Sequence, residues 1–249
     1  MKLNKYFEQK YIQNKYVTRQ TLGLYPSLFF PIMRFAGSRR TKDRLISEET
    51  ELVIEGFPRS GNTFALVAFE LSQNRQVKIA HHIHAPAQII KGVKMGIPSL
   101  VLIRDPRDAV LSMKIFSDFE ITVLLKSYYK FYKRLVPVSC GFVCATFVEI
   151  TQDFGKVISK VNNRFGTDFN IFINTKENIA KCFNVIEAKD KLFTGNETPS
   201  DNLIAKPSPE KEKLKENYKQ QFLDRRVALL LEKCQCVYND MVGLQNQPQ

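Results

Sequence analysis

A single turn, GFPRSGNT at positions 56–63, constrains the fold of this 249-residue chain more than any other feature. The segment before it, ELVIEGF (51–57), has the composition of a strand, and residues 62–73 carry apolar side chains at helical spacing. Strand, turn and helix in this order are the frame of a phosphate-binding loop, whose backbone N–H groups and helix N-terminus form a cradle for an anion. The sequence therefore predicts an anion site at this strand-to-helix junction.

The rest of the chain continues the alternation of strands and helices. Further strands are predicted at 77–82, 99–103 and 141–150, and the run SLVLI (99–103) is apolar throughout, as in a strand that is buried on both faces. The predicted helices are 85–95, a segment that begins at Asp105-Pro106, 119–136, about 151–165 and 208–238. This alternation predicts an α/β fold with a central parallel sheet flanked by helices, as in P-loop NTPases.

One domain is predicted, over residues 49–249. Residues 1–48 are polar, basic and interrupted by prolines, so we expect an N-terminal extension that lies outside the sheet and packs on the core. Its apolar stretch 22–36 is too short to form a transmembrane helix; it predicts a contact with the domain or, second, peripheral contact with a membrane surface. Polar residues with Pro and Gly between about 189 and 207 predict a mobile loop.

Charge and cysteine content narrow the classes of function. A formal net charge of +12 favours nucleic acid, an acidic membrane or a phosphate-rich small ligand as partner, or else reflects a solvated basic face. The five cysteines form no zinc-binding pattern with histidines, which predicts free thiols in a reducing, cytoplasmic protein. No helix-turn-helix, zinc-finger or RNP-like pattern is present, so nucleic acid is not the predicted partner.

The phosphate turn departs from the pattern of enzymes that use nucleoside triphosphates. Position 62 is Asn where those enzymes have the lysine that reaches the terminal phosphates, and a cation is found instead at Arg59. A 5′-phosphosulfate has less charge at its reacting end, so the backbone cradle and one arginine suffice for it. The alternative is that Gly61 only caps a strand–helix junction.

A second arginine follows the buried strand 99–103. Arg104 stands at the carboxyl end of this strand, where open parallel sheets bind their ligands. Ser112 follows in the next predicted helix and is expected to face the same crevice. An arginine and a hydroxyl suit a phosphate monoester, whereas the alternative is a surface Arg–Asp pair and an ordinary helical serine.

All three histidines of the chain fall within HHIHA (81–85). In an extended segment, residues two apart share a face, so His82 and His84 are expected to point together and His81 away. A neutral imidazole accepts a hydroxyl proton well near neutral pH. A three-histidine metal site is the alternative, but neighbouring strand positions do not converge on one ion, so no metal is predicted.

The two turns together resemble those of the PAPS-dependent sulfotransferase family, where PAPS is 3′-phosphoadenosine 5′-phosphosulfate. In that family a P-x-S-G-[TN]-T turn binds the 5′-phosphosulfate and an R-x-P-x-x-x-x-x-S segment binds the 3′-phosphate. Here they read PRSGNT (58–63) and Arg104 through Ser112, and the resemblance covers about residues 50–165. The chain differs from the animal cytosolic enzymes in Arg59 for lysine, in Phe64 for an adenine-stacking tryptophan, and in lacking their R-K-G-x-x-G segment.

The resemblance implies a sulfotransferase fold, PAPS as co-substrate without a metal, and a catalytic histidine in an H-x-P segment. His84 before Pro86 fits that segment and is the preferred base; a register shifted by two residues would make His82 the base. The implied residues that bind the co-substrate are Arg59, which also assists catalysis, Ser60, Gly61, Asn62, Thr63, Phe64, Arg104 and Ser112. A late lysine, Lys206 or Lys211, would replace the cation of the absent segment.

The predicted reaction is transfer of a sulfuryl group from PAPS to a hydroxyl or amine of a small-molecule or glycan acceptor. The alternatives are a P-loop-type nucleotide kinase with an altered turn, and a protein that binds a nucleotide or nucleic acid without catalysis. The aromatic residues Tyr128, Tyr129, Phe131 and Tyr132 are expected either in the core or in the wall of an acceptor pocket.

Overall fold

The computed structural model describes residues 2–194 and 209–243. The predicted α/β class is confirmed, because helices flank a central sheet of four parallel strands. The strands are β1 (Leu52–Gly56), β2 (Ile79–His81), β3 (Ser99–Ile103) and β4 (Val143–Thr146). Their spatial order is β2-β1-β3-β4, which places β1 and β3 in the centre.

The helices of the first half are α1 (Lys2–Leu22), α2 (Pro26–Ala36), α3 (Arg39–Asp43), α4 (Asn62–Ser72), α5 (Pro86–Lys94) and α6 (Pro106–Ser117). Those of the second half are α7 (Ile121–Leu135), α8 (Phe147–Gln152), α9 (Phe154–Phe165), α10 (Lys176–Thr194), α11 (Pro209–Lys219) and α12 (Arg225–Gly243). Short 3₁₀ turns cover Val136–Gly141 and Gln220–Leu223. None of the helices in the described ranges combines the length and apolarity that crossing a membrane requires.

Two apolar clusters cover the two faces of the sheet. One contains residues of α5, α6, α7 and α12, and the other contains residues of α4, α9 and α10. The central strands β1 and β3 are buried along their whole length, as expected for strands covered on both faces. Residues before β1 form three helices outside the sheet, and Phe29 and Phe30 of α2 are buried in the first cluster.

The structure corrects four predicted boundaries. The strand predicted at 141–150 ends at Thr146, because Thr146 and Glu149 form a capping box that starts α8. The strand predicted at 77–82 ends at His81. The C-terminal helix is interrupted at Asp224, whose carboxylate accepts the N–H groups of the first turn of α12. Residues 189–194 of the predicted loop belong to α10, while 195–207 of that loop, with Lys206, lie outside the described residues.

Candidate active site

A cavity of about 610 Å³ opens at the carboxyl edge of the sheet. Because all four strands run parallel, the residues that follow β1, β2, β3 and β4 meet at this edge. Of the residues predicted to act here, those that line the cavity are Arg59, Gly61, Asn62, Thr63, Phe64, His82, His84, Arg104 and Ser112. Ser60 is not part of the lining and is fully buried. The structure thus brings nine of the ten residues to one cavity.

The turn after β1 has the backbone of an anion cradle. Arg59 and Gly61 adopt positive φ angles of 69° and 92°, a backbone conformation found in anion-binding turns. The N–H of Ser60, between them, donates to the carbonyl of Phe57 at 3.2 Å. Helix α4 begins directly afterwards at Asn62, so its unpaired first-turn N–H groups lie behind the turn. Gly56 allows the strand end to approach β3 closely, because a Cβ there would lie 2.3 Å from the carbonyl oxygen of Leu102.

Tyr132, on α7, braces this turn from the core. Its hydroxyl donates to the carbonyl of Leu102 at 2.7 Å and accepts from the N–H of Phe57 at 3.1 Å. The Ser60 hydroxyl lies 3.3 Å from the same oxygen, and Asn62 Nδ2 donates to the Phe57 carbonyl at 3.1 Å. The Ser60 and Asn62 side chains therefore hold the shape of the turn. Tyr132 belongs to the core and is no part of the cavity wall.

The two predicted anion-binding turns contact each other. Arg59 Nε donates to the hydroxyl of Ser112 at 3.1 Å, and Arg104 Nη1 donates to the carbonyl of Arg59 at 3.2 Å. The guanidinium of Arg104 also stacks on the ring of Phe147, with its carbon 4.1 Å from the ring centre. Arg59, Arg104 and Ser112 thus form one continuous polar wall.

The cavity is lined by cations and, among the described residues, by no carboxylate. Its charged lining residues are Arg19, Arg59, Arg104 and Lys215. Burial, with a smaller effect from Arg104, lowers the pKa of Arg59 to about 10, against the attraction of Asp190. Arg59 is still a cation at neutral pH, but one held largely out of water. An anionic ligand would be favoured strongly in such a place.

A buried carboxylate that the sequence analysis missed shapes the histidine segment. Glu55 on β1 is fully buried; its two oxygens accept the N–H of Ile83 at 2.7 Å and the N–H of His84 at 2.9 Å. The backbone of His82 and His84 has φ of 53° and 55°, a left-handed conformation that these bonds stabilise. Both imidazoles line the cavity as predicted, but through this turn and not through an extended strand.

The ring nitrogens distinguish His82 from His84. His82 Nε2 lies 3.2 Å from the Thr63 hydroxyl, and His82 Nδ1 lies 2.9 Å from Nδ1 of His81. His84 Nδ1 lies 2.9 Å from the carbonyl oxygen of Gly56, so Nδ1 carries the proton. Nε2 of His84 then holds the lone pair, on a side chain that is 24% exposed.

Burial keeps the three imidazoles neutral. It lowers the pKa of His84 to about 4, that of His81 to about 3 and that of His82 well below 6.5. Burial also raises the pKa of Glu55 to about 8, although the N–H groups of Ile83 and His84 oppose the rise. Glu55 Oε2 lies 3.9 Å from His84 Nδ1. With a pKa of about 8, Glu55 is mostly protonated at neutral pH, so its attraction for a positive charge on His84 develops only as pH rises towards 8.

Apolar side chains line another part of the cavity. Phe64 lies beside Phe183, with ring centres 5.9 Å apart, and Ile179 and Phe147 are also in the lining. Phe183 and Ile179 come from α10, about 115 residues after Phe64, so no local sequence pattern marks them. Glu55 could have been identified from the sequence, because it is a carboxylate inside the apolar strand ELVIEGF. A carboxylate in a buried strand requires hydrogen-bond donors nearby.

Within the described ranges, no three or more His, Cys, Asp or Glu side chains are placed to hold a metal ion. No protein family matches the sequence, and no curated protein matches it significantly. A crystal structure of mouse sulfotransferase SULT7A1 complexed with PAP (adenosine 3′,5′-diphosphate) is similar to this chain, with a TM-score of 0.42 and 13% sequence identity. The match covers 77% of this chain and 91% of the mouse protein.

Proposed function

We propose that this chain is a sulfotransferase that moves the sulfuryl group of PAPS to a hydroxyl or amine of an acceptor molecule. One observation carries the proposal: Arg59, Arg104 and Ser112 line the same cavity as His84, and no carboxylate lines it among the described residues. Such a cavity suits a nucleotide with phosphate groups at two positions, and it places the neutral imidazole of His84 in the same cavity as a general base.

Each part of PAPS has a matching set of residues. The cradle 58–63 with Arg59 would hold the 5′-phosphosulfate, and Arg104 with Ser112 would hold the 3′-phosphate. Phe64, Phe183 and Ile179 would enclose the adenine ring between apolar surfaces. The cavity volume of about 610 Å³ lies within the usual range of small-molecule sites, about 300–1,000 Å³.

PAPS would supply a sulfuryl group bound to a good leaving group, adenosine 3′,5′-diphosphate (PAP). His84 Nε2 accepts the proton of the acceptor hydroxyl or amine as the acceptor atom bonds to sulfur. The backbone cradle and Arg59 stabilise the charge on the sulfuryl oxygens and on the departing phosphate. Glu55 holds the backbone of the histidine turn through the N–H groups of Ile83 and His84. His82, with both nitrogens engaged, orients Thr63 and does not serve as the base.

Calorimetric titration with PAP, without metal, tests the binding half of the proposal. We expect affinity near micromolar, and a loss of about 10- to 100-fold in Arg104→Ala, as for a charged hydrogen bond to phosphate. Adenosine 5′-phosphate, which lacks the 3′-phosphate, should bind more weakly and equally to both proteins. Arg107→Ala is the matched control, because Arg107 is exposed on the same turn and does not line the cavity.

An acceptor screen that follows release of PAP from PAPS tests the chemical half. His84→Ala should lose turnover while keeping its affinity for PAP, and His82→Ala should retain part of its turnover. No binding of PAP by the folded wild type would reject the proposal. Preferential binding of ATP–Mg²⁺ would favour the kinase instead.

A further inference from the structure

Helix α2 (Pro26–Ala36) is apolar on both of its faces. Phe29 and Phe30 point inward and are buried in the core, at 0% and 6% exposure. Leu28, Ile32 and Phe35 are exposed by 56%, 42% and 90%. A helix that is apolar on all sides is normally buried on all sides. The outer face of α2 is therefore an exposed apolar patch of the kind that contacts a partner or a membrane.

The three exposed side chains form one ridge. They are spaced four and three residues apart, which places them within about 60° of the helix circumference and along about two turns. Tyr25, the residue before the helix, is half exposed and continues the ridge at its start. We call these four residues the α2 ridge. An 11-residue helix is far too short to cross a bilayer but can lie flat in its interface.

The chain segment that contains the α2 ridge is cationic. Residues 9–42 contain seven Lys and Arg residues and no Asp or Glu. Lys42 Nζ donates to the carbonyl of Phe35 at 3.3 Å, and Lys91 Nζ lies 4.5 Å from the ring centre of Phe30. Arg39 and Arg40, three and four residues after the end of α2, are exposed. Arg39, Arg40 and Lys42 therefore lie beside the C-terminal end of the ridge, while Lys91 covers the inward-facing Phe30.

We propose that the α2 ridge docks this protein on an anionic membrane surface. The apolar side chains enter the boundary between headgroups and acyl chains, while Arg39, Arg40 and Lys42 contact the lipid phosphates. A second copy of the chain is a poor occupant, because it would bring an equally cationic face against this one. The proposal is independent of the reaction, since none of the α2 ridge residues lines the cavity.

Vesicle flotation of the full chain tests the proposal. We expect binding to phosphatidylcholine vesicles that contain phosphatidylserine, weak binding to pure phosphatidylcholine, and release by salt. Replacement of Leu28, Ile32 and Phe35 together by Ser should lower the partition coefficient by about 100-fold or more. Arg39→Glu with Arg40→Glu should lower it by about tenfold or more.

Matched controls come from the other end of the chain. Leu223→Ser replaces a side chain that is 82% exposed, and Arg225→Glu with Arg226→Glu reverses another exposed pair; both should bind vesicles like the wild type. The chain has no tryptophan, so Phe35→Trp introduces a single tryptophan, whose emission should shift to the blue only with anionic vesicles. Leu223→Trp should show no shift.

Three results would overturn the proposal. In the first, the folded wild type stays with the buffer when anionic vesicles float. In the second, the triple serine variant binds as tightly as the wild type. In the third, sedimentation shows a dimer that the triple serine variant converts to monomer while neither protein binds vesicles, which would assign the α2 ridge to a second copy. Circular dichroism of each variant shows that loss of binding is not loss of folding.

Discussion

Replacing Glu55 by Gln should remove a pH dependence of stability from this protein. Glu55 is fully buried, and burial raises its pKa from 4.5 to about 8. Between these two values the folded protein holds a proton that the unfolded chain has released. The free energy of unfolding therefore falls as pH rises through this window, by about 1.4 kcal/mol per pH unit.

The expected magnitude follows from the width of the window. From about pH 5.5 to 7.5, the Glu55 contribution should fall by about 2–3 kcal/mol, and in Glu55→Gln it should be absent. Urea unfolding of both proteins, followed by circular dichroism at several pH values, gives the difference between their free energies of unfolding. The titratable neighbours of Glu55, namely Arg19, Arg44 and the neutral His84, are present in both proteins, so their own titration largely cancels.

Glu51→Gln is the matched control at the start of the same strand. Glu51 is paired with Arg75 and accepts the N–H of Lys78, so its pKa is lowered and its contribution is lost only at pH values below 4.5. The difference in free energy of unfolding between the wild type and Glu51→Gln should therefore stay constant between about pH 5.5 and 7.5. Parallel curves for wild type and Glu55→Gln would refute the reasoning, because they would mean that the two N–H donors keep Glu55 ionised in this range.

Two further predictions concern Tyr132, which supports the phosphate turn, and His84 in the histidine segment. Tyr132→Phe removes the hydroxyl that bonds the carbonyl of Leu102 and the N–H of Phe57, so it should lower the free energy of unfolding by about 2–4 kcal/mol and weaken PAP binding. Tyr129→Phe, at a half-buried position on the same helix, should change the free energy of unfolding by under about 0.5 kcal/mol. Equal effects of the two substitutions would show that the Tyr132 hydroxyl does not support the turn. Because burial lowers the pKa of His84 from 6.5 to about 4, the stabilising contribution of neutral His84 is lost as pH falls through this range. In urea unfolding, the free energy of unfolding of His84→Gln should therefore fall by about 2–3 kcal/mol less than that of the wild type over the same pH range. An unchanged acid profile would show that His84 titrates normally.

Local sequence patterns predicted the parts of the site that each lie within one turn. The strand-to-helix junction at Gly61 and the arginine at the end of β3 depend on neighbours within about ten residues. The support of the site is not local. Glu55 accepts N–H groups 28 and 29 residues away, and the Tyr132 hydroxyl reaches an N–H 75 residues away. Such partners follow from the fold, and no spacing in the sequence encodes them.

The histidine segment shows why a correct prediction can have the wrong cause. Period-two alternation put His82 and His84 on one face, and both do line the cavity. The strand ends at His81, however, and two left-handed residues redirect the chain, which is unfavourable for side chains other than Gly and requires compensation. The bonds from Ile83 and His84 to Glu55 provide it.

Two arginines lie next to each other in the wall of the cavity, and this bears on how an anionic ligand would act. Arg104 donates to the carbonyl of Arg59, and burial together with the charge of Arg104 lowers the pKa of Arg59, while Asp190 attracts it. Arg104 itself lies 3.9 Å from the carboxylate of Asp108. An anion that neutralises them would be held more tightly than the same anion on an open surface. By linkage, a ligand at about 100 times its Kd adds about 2.7 kcal/mol to the free energy of unfolding. The binding of an anionic ligand beside Arg59 and Arg104 would therefore stabilise the folded protein, whereas a neutral analogue would not gain this attraction.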